Sequence, residues 1–254
     1  MLKIENLTKQ FGGLTAVRDV SVTFEKGKIN AIIGPNGAGK TTFFNLISGM
    51  HQPTSGRIIF KGVDVTRMRA DQVARLGVAR TFQTTHLFDN ATVFDNLIVG
   101  HRLRTKSGFW DVVFNTKRLR EEEKACRKKA EEVLEFVGLN HAAYRLAGDI
   151  SQEERKRVAF ALALATEPDL VLLDEPAGGV NPEETVGLAE LIKKMVRHGL
   201  TVCLIEHKMD MIMGMADKIM VLDHGEKIAE GTPAEIQRNP VVIEAYLGSE
   251  HAAA

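Results

Sequence analysis

Cysteine is scarce. Cys126 and Cys203 are the only two in 254 residues, and their wide separation supports neither a disulfide framework nor a metal-ligand cluster. A reducing cytosol is the expected setting. Net charge is missing as well: 33 Lys plus Arg balance 33 Asp plus Glu. This argues against a nucleic-acid binder that works through a global positive field, and no nucleic-acid partner is expected. Long hydrophobic runs are absent; none approaches the roughly 18–20 residues of a membrane span. The opening MLKIENLTKQ has no apolar signal segment. Internal repeats, low-complexity tracts and sustained heptads are not visible either. What remains is an ordinary globular composition, 44% apolar and 26% charged, which excludes a disordered chain. The length suits one large domain, or one domain with an inserted subdomain.

Short β-rich runs occur at Ile29–Ile33, Leu170–Leu173, Thr201–Ile205 and Lys218–Leu222. Most are almost continuously apolar, as strands covered on both faces are. Helical patterns follow several of them, at Lys40–Met50, Glu183–Arg197 and Lys208–Met215. The alternation predicts an α/β core with a mostly parallel sheet. The first sixty or so residues instead alternate polar and apolar positions between glycine turns, which predicts an antiparallel β subdomain. Thr92–Arg102, Lys117–Phe136 and Gln152–Thr166 carry helical spacing. A single domain over 1–254 is therefore expected, with a core of 1–84 and 166–254 and a helical subdomain inserted at 85–165.

Gly34-Pro35-Asn36-Gly37-Ala38-Gly39-Lys40-Thr41 fits G-x-x-x-x-G-K-[ST] at every fixed position. An apolar strand precedes it and a helix follows. Glycines let backbone N–H groups wrap a phosphate closely, and the following helix turns its positive dipole end toward the anion. Lys40 supplies a cation for the β/γ-phosphates, Thr41 offers a hydroxyl to Mg²⁺, and Thr42 is expected to add a phosphate contact. Further on, Leu170–Leu173 ends in Asp174-Glu175-Pro176. Acids at the carboxyl end of such a strand reach the crevice where α/β sheets bind ligands. Asp174 can hold Mg²⁺ through water, and Glu175 can polarise an attacking water.

With these motifs in order, the sequence resembles the ATP-binding cassette (ABC) family of transport ATPases along nearly its whole length. The resemblance implies a P-loop NTPase core and ATP with Mg²⁺ as ligands. It places Phe11 at the aromatic that stacks on adenine, although Phe11 also reads as a core residue. It places Gln83, in ARTFQ, at the glutamine that senses Mg²⁺ and the γ-phosphate near the membrane subunit. Asn181, in Gly178-Gly179-Val180-Asn181, falls in the loop that touches the opposite subunit, and His207, in LIEHKMD, at the switch histidine. The stretches ENLTKQFGGLTAVRDVS, LDEPAGGVNPEET and NPVVIEAYLG narrow the likeness to ATPase subunits of branched-chain amino acid importers, the larger of two types. HRLRTKSGFWDVVFNTKRLR then matches an insert typical of that type. Its apolar stretch Gly108–Phe114, with Trp110, suits packing onto the helical subdomain or contact with a membrane subunit. The implied partners are integral membrane permease subunits, a second ATPase subunit (identical or sister) and, indirectly, an extracytoplasmic binding protein. The implied location is the cytoplasmic face of the inner membrane. The importer's substrate is a branched-chain or related amino acid, with amides or urea as alternatives.

One segment departs from the family. The signature Leu-Ser-x-Gly-Gln/Glu reads Ile150-Ser151-Gln152-Glu153-Glu154 here, so Ser151 is kept and Glu153 replaces the glycine. Ser151 to Glu154 is also a helix capping box. Acids in a first turn suit the helix dipole, but a second negative charge about 4 Å from a γ-phosphate would cost roughly 4 kcal/mol at an effective dielectric near 20. Weakened ATP-driven closure with retained ATP binding is the expectation. The alternatives are a cassette with impaired hydrolysis and a soluble cassette ATPase of DNA repair or translation. The single phosphate loop and the lack of heptads argue against the soluble types.

Overall fold

In a computed structural model, which describes residues 1–81, 87–102, 111 and 116–251, the chain divides into two compact units. The first comprises Met1–Arg80, Pro168–Gly178 and Thr185–Ala254. Its strands in chain order are β1 (Leu2–Phe11), β2 (Leu14–Phe24), β3 (Ile29–Ile33), β4 (Ser55–Phe60), β5 (Val63–Asp64), β6 (Val78–Arg80), β7 (Leu170–Asp174), β8 (Thr201–Ile205), β9 (Lys218–Asp223) and β10 (Glu226–Gly231).

They form two sheets. One has the order β2-β1-β4-β5 and is antiparallel throughout, as the alternating pattern of the first sixty residues predicts. The other has the order β10-β9-β3-β8-β7-β6. Its pairs from β9 to β6 are parallel, and only β10 runs against its neighbour. Every residue of β3, β7 and β8 is buried, which suits their largely apolar sequence; the polar exceptions Asn30, Asp174 and Thr201 are buried with them. Phe24, Phe43, Phe44 and Phe60 are among the largest fully buried side chains, and one apolar cluster joins residues of both sheets to the helix Lys40–Ile47.

That helix stops at Ile47, short of the Met50 that apolar spacing suggests. Ser48 turns its hydroxyl back onto the Phe44 carbonyl at 2.8 Å, and the amides of Met50 and His51 both fold onto Asn45 O. The short β6, β10 and the helices Ala70–Arg75, Pro233–Gln237 and Pro240–His251 are additions that the patterning does not single out.

The second unit comprises Thr81–Glu167 and Gly179–Glu184. The helices Val93–Arg102, Lys117–Val137 and Gln152–Leu164 pack on one another. The middle one buries Cys126, Ala130, Val133, Leu134 and Val137, a stripe at helical spacing, and exposes its charged face. Thr116 caps it by accepting from Leu119 N at 3.3 Å. Gln83 lies outside the described residues, as does Gly108–Phe114 apart from Asp111.

The helix Pro240–His251 carries Tyr246, which is partly buried. Burial pushes its phenol up to about 12, while a hydrogen bond with the Gly34 backbone pulls the other way. A folded value above the unfolded value near 10 favours the native state below about pH 10, and that contribution is lost as pH rises through the folded value. Tyr246→Phe should therefore flatten the fall of Tm between about pH 10 and 12. Melting curves across that window, wild type beside variant, check it; parallel curves would contradict it.

Candidate functional site

Three separate pieces of sequence meet because of strand register. Ile205 of β8 pairs with Ile32 of β3 on one side and with Asp174 of β7 on the other. The carboxyl ends of three neighbouring parallel strands are thus level. From β3 leads the Gly34–Thr41 loop, from β7 the Asp174-Glu175 pair, and from β8 Glu206 and His207. Ligands collect at this end of open α/β sheets.

The loop cannot take this course with larger residues at two points. Gly34 has φ 149° and a Cβ there would overlap Leu222 O; Gly39 has φ 94° and a Cβ would overlap Ala16 O. Gly39 stands at the N-cap of Lys40–Ile47, so the amides of that helix's first turn open onto the loop. Lys40 is only 7% exposed. Its ammonium donates to Gly34 O at 2.7 Å and to Pro35 O at 2.8 Å. Burial lowers its pKa from the ordinary lysine value, while the charges of Glu175 and Asp174 raise it. The loop, Lys40, Thr41, Thr42, Glu175 and His207 line one cavity of about 630 Å³. An anion fits such a lining of amides, hydroxyls and one ammonium.

Glu175 adopts φ 48°, a left-handed conformation that costs a non-glycine residue roughly 1 kcal/mol or more. Backbone bonds fix it there: its N–H donates to Ile205 O at 2.9 Å and its carbonyl accepts from Gly178 N at 3.1 Å. Its Oε1 lies 3.3 Å from His207 Nε2. A carboxylate and an imidazole at that distance can share a proton or orient a water.

Asp174 is 6% exposed. Its Oδ2 accepts from Arg80 Nη2 at 2.9 Å, an ion pair in which both side chains are 7% exposed. Arg80 Nη1 also donates to Asn45 Oδ1 at 2.6 Å and Ser48 Oγ at 3.2 Å, and the guanidinium sits 5.7 Å from the Phe44 ring. Sequence reasoning passed over Arg80, which stands in the same ARTFQ stretch as Gln83. Phe11 is not among the residues lining the cavity. It is 42% exposed, edge-on to His51 at 5.5 Å and beneath the Lys9 ammonium at 4.7 Å. Leu14, 68% exposed, lines the cavity instead.

Ser151, Glu153 and Asn181 fall in the second unit. Ser151 Oγ accepts from Glu154 N at 3.1 Å, and Glu154 Oε2 accepts from Ser151 N at 2.7 Å, so the capping box forms. Burial acts to raise the Glu154 pKa, but the Ser151 amide, His141 and Arg145 outweigh it and hold the carboxyl below the usual range. Glu153 folds back along its helix onto Arg157 Nε, and Arg157 Nη1 donates to Val137 O at 2.8 Å. Asn181 Oδ1 accepts from Glu184 N at 2.8 Å, capping the helix Pro182–Arg197.

A family model described as ABC transporter matches residues 17–178. The chain belongs to the ABC transporter family. It is thus an ATP-binding cassette ATPase, with the α/β fold of that family. A second model, described as Branched-chain amino acid ATP-binding cassette transporter, matches residues 226–252. The chain is 41% identical to the high-affinity branched-chain amino acid transport ATP-binding protein LivG of Salmonella typhimurium, over 98% of each chain. It is equally similar, at 41% and the same coverage, to BraF of Pseudomonas aeruginosa, which bears the same description. Among solved structures, the ADP conformation of an ATP-binding cassette of an ABC transporter matches with a TM-score of 0.86 and 33% identity over 98% of each chain. A nucleotide-free cassette matches with a TM-score of 0.85 and 33% identity, over 97% of this chain and 98% of that one.

The buried Arg80–Asp174 pair makes a stability prediction. Removing one partner of a buried ion pair strands the other charge and typically costs about 3–5 kcal/mol. Arg80→Met should lose stability on that scale in urea unfolding. Arg80→Met with Asp174→Leu should recover part of the loss, because no charge is left stranded; an additive double variant would contradict the pairing.

Proposed function

We propose that this chain is the ATP-hydrolysing subunit of an importer of branched-chain or related amino acids, and that ATP binding and hydrolysis drive closing and opening of a pair of such subunits. One observation carries the catalytic part. Lys40 with its phosphate loop, and Glu175 with His207 at 3.3 Å, face the same cavity. The importer assignment rests on identity of about two residues in five with LivG and BraF over 98% of their length.

In this reading the loop amides and Lys40 grip the β- and γ-phosphates, and Thr42 adds a contact. Glu175 takes the proton of the attacking water while His207 orients the carboxylate and faces the γ-phosphate. Catalysis consists mainly of positioning and charge stabilisation. The oxygen donors Thr41 and Asp174 suit Mg²⁺, which prefers few protein ligands beside phosphate oxygens; Gln83 is assigned to the same group. When bound, Mg²⁺ would neutralise charge on the phosphates. Ser151 and Asn181 are assigned to the face that meets the second ATPase subunit, and Phe11 to the adenine side.

No described helix is long and apolar enough to cross a membrane. Attachment would come from permease subunits on the cytoplasmic face of the inner membrane, with the binding protein acting from the far side.

Uptake of labelled leucine in cells lacking the subunit tests the assignment. The wild-type gene should restore uptake, and Glu175→Gln should not, although its product still binds ATP and accumulates as an ATP-bound dimer. Uptake restored equally by Glu175→Gln would remove Glu175 from the role of base; no uptake with the wild type would reject the substrate.

Glu153 sets the rate in this reading. Because Arg157 shares its charge, the repulsion of a γ-phosphate is smaller than for a lone acid, and the missing glycine accounts for much of the remainder. Glu153→Gly should raise turnover in the assembled transporter about tenfold, equivalent to roughly 1.4 kcal/mol of barrier. The same change should lower Tm, since glycine costs a helix up to about 1 kcal/mol relative to alanine. Equal turnover would show that Glu153 does not limit the rate.

A further inference from the structure

Glu206 is the most deeply buried carboxylate among the described residues, at 2% exposed, and the chemistry above does not use it. An ionised carboxylate so placed is costly unless it is fully hydrogen-bonded. Here the donors come from the backbone. Oε1 accepts from Ala177 N at 2.8 Å. Oε2 accepts from His207 N at 2.6 Å and from Lys208 N at 3.3 Å. Hydrogen bonds to an ionised acceptor are about twice as strong as neutral ones, so these three compensate the burial of the charge.

The placement of the donors is the informative part. His207 and Lys208 form the turn that leaves β8. Ala177 lies two residues beyond Glu175, in the segment that leaves β7. The amide of Glu175 is already tied to Ile205, the residue before Glu206. One side chain therefore joins the main chain on both sides of the Glu175–His207 contact. Its two oxygens face N–H donors in opposite segments, and only a carboxylate presents an acceptor to each. Glutamine would turn an NH₂ group toward one of them, and that side would come loose.

We propose that Glu206 is a positioning residue for ATP hydrolysis: it clamps the histidine turn to the segment after Glu175 and so sets the distance between His207 and the base. The proposal rests on the assignment of Glu175 and His207 as the hydrolytic pair. Its effect should fall on turnover more than on ATP affinity, because the main phosphate grip, Lys40, is held by Gly34 and Pro35 on a different strand end.

The test compares the full-length wild type with Glu206→Gln, His207→Ala and the double variant. ATP affinity is measured by calorimetry, turnover by phosphate release, and the His207 ring by NMR. Glu206→Gln should bind ATP within about twofold of wild type while kcat falls about tenfold to a hundredfold, the rate equivalent of a lost hydrogen bond to a charged group. Its His207 ring signal should move. In the His207→Ala background the same change should cost less than about threefold, since it acts through the histidine. Should Glu206→Gln not fold, Glu206→Asp decides. It keeps the charge and both oxygens but falls one methylene short of spanning the two segments, so it should lose kcat and keep ATP affinity. Unchanged kcat, full additivity with His207→Ala, or loss of ATP affinity in step with kcat would each overturn the positioning role. A wild type that neither binds nor hydrolyses ATP would instead overturn the reading of the site on which it rests.

Discussion

Ile205 stands level with Ile32 on one side and Asp174 on the other, and the chemistry of the chain depends on that shared register. Gly34, Asp174 and His207 are far apart in sequence. Parallel pairing of β3, β8 and β7 brings their strand ends together at one edge of one sheet. A slip of one residue in β8 would turn its side chains to the opposite face. It would also carry His207 away from Glu175. Every residue of the three strands is buried, so a slip would exchange the side chains packed on the two faces, which close packing resists.

Around those strand ends, each ionisable group has a local partner. Asp174 is answered by Arg80, Glu175 by His207, and Glu206 by three backbone amides. Lys40 is answered by two loop carbonyls and by the fields of Asp174 and Glu175. The differences between these solutions matter. An arginine partner is permanently charged and forms a fixed fork, which suits a carboxylate that must hold one orientation. A histidine partner at 3.3 Å with partial exposure is held less firmly, which suits the role proposed for His207 toward a phosphate. Backbone donors cannot dissociate from the chain at all, which suits a carboxylate that only has to hold two segments together.

How much of this was legible beforehand depended on distance in sequence. The phosphate loop is a local motif whose glycines are explained by their own backbone angles, and Gly34 and Gly39 stand where any Cβ would strike a carbonyl. The apolar run Leu170–Leu173 with acids at its end reads directly as a buried strand opening onto a crevice. The parallel core and the antiparallel first sheet follow from the two kinds of apolar pattern. Arg80 was not legible, because β6 is three residues long and too short to show a period. Glu206 was not legible either. Next to a histidine at a strand end it reads as a solvated acid, and only the fold buries it and brings the Ala177 amide of another segment onto it. Leu14 lines the cavity and Phe11 does not; a hairpin turn between β1 and β2 separates them, and a lone exposed leucine carries no signal in the sequence.

The signature helix shows local and distant demands in opposition. Viewed alone, Gln152–Leu164 is well begun: a reciprocal capping box, two acids in its first turn, and an i,i+4 pair from Glu153 to Arg157. Each of these stabilises a helix by a few tenths to about 1 kcal/mol. A glycine in place of Glu153 would weaken every local term except the cap. In the signature that the resemblance implies, glycine stands there; in the proposed reading its benefit lies outside the helix, in what the bare backbone can approach. Arg157 reduces the conflict by drawing the Glu153 carboxylate back along its own helix and by fixing itself to Val137 O. The charge is thereby moved and partly neutralised, while the Cβ that glycine would lack stays in place. In the proposed reading, the residual penalty at this position is one of shape more than of charge, and salt or pH, which act on charge, would relieve less of it than a change of side chain.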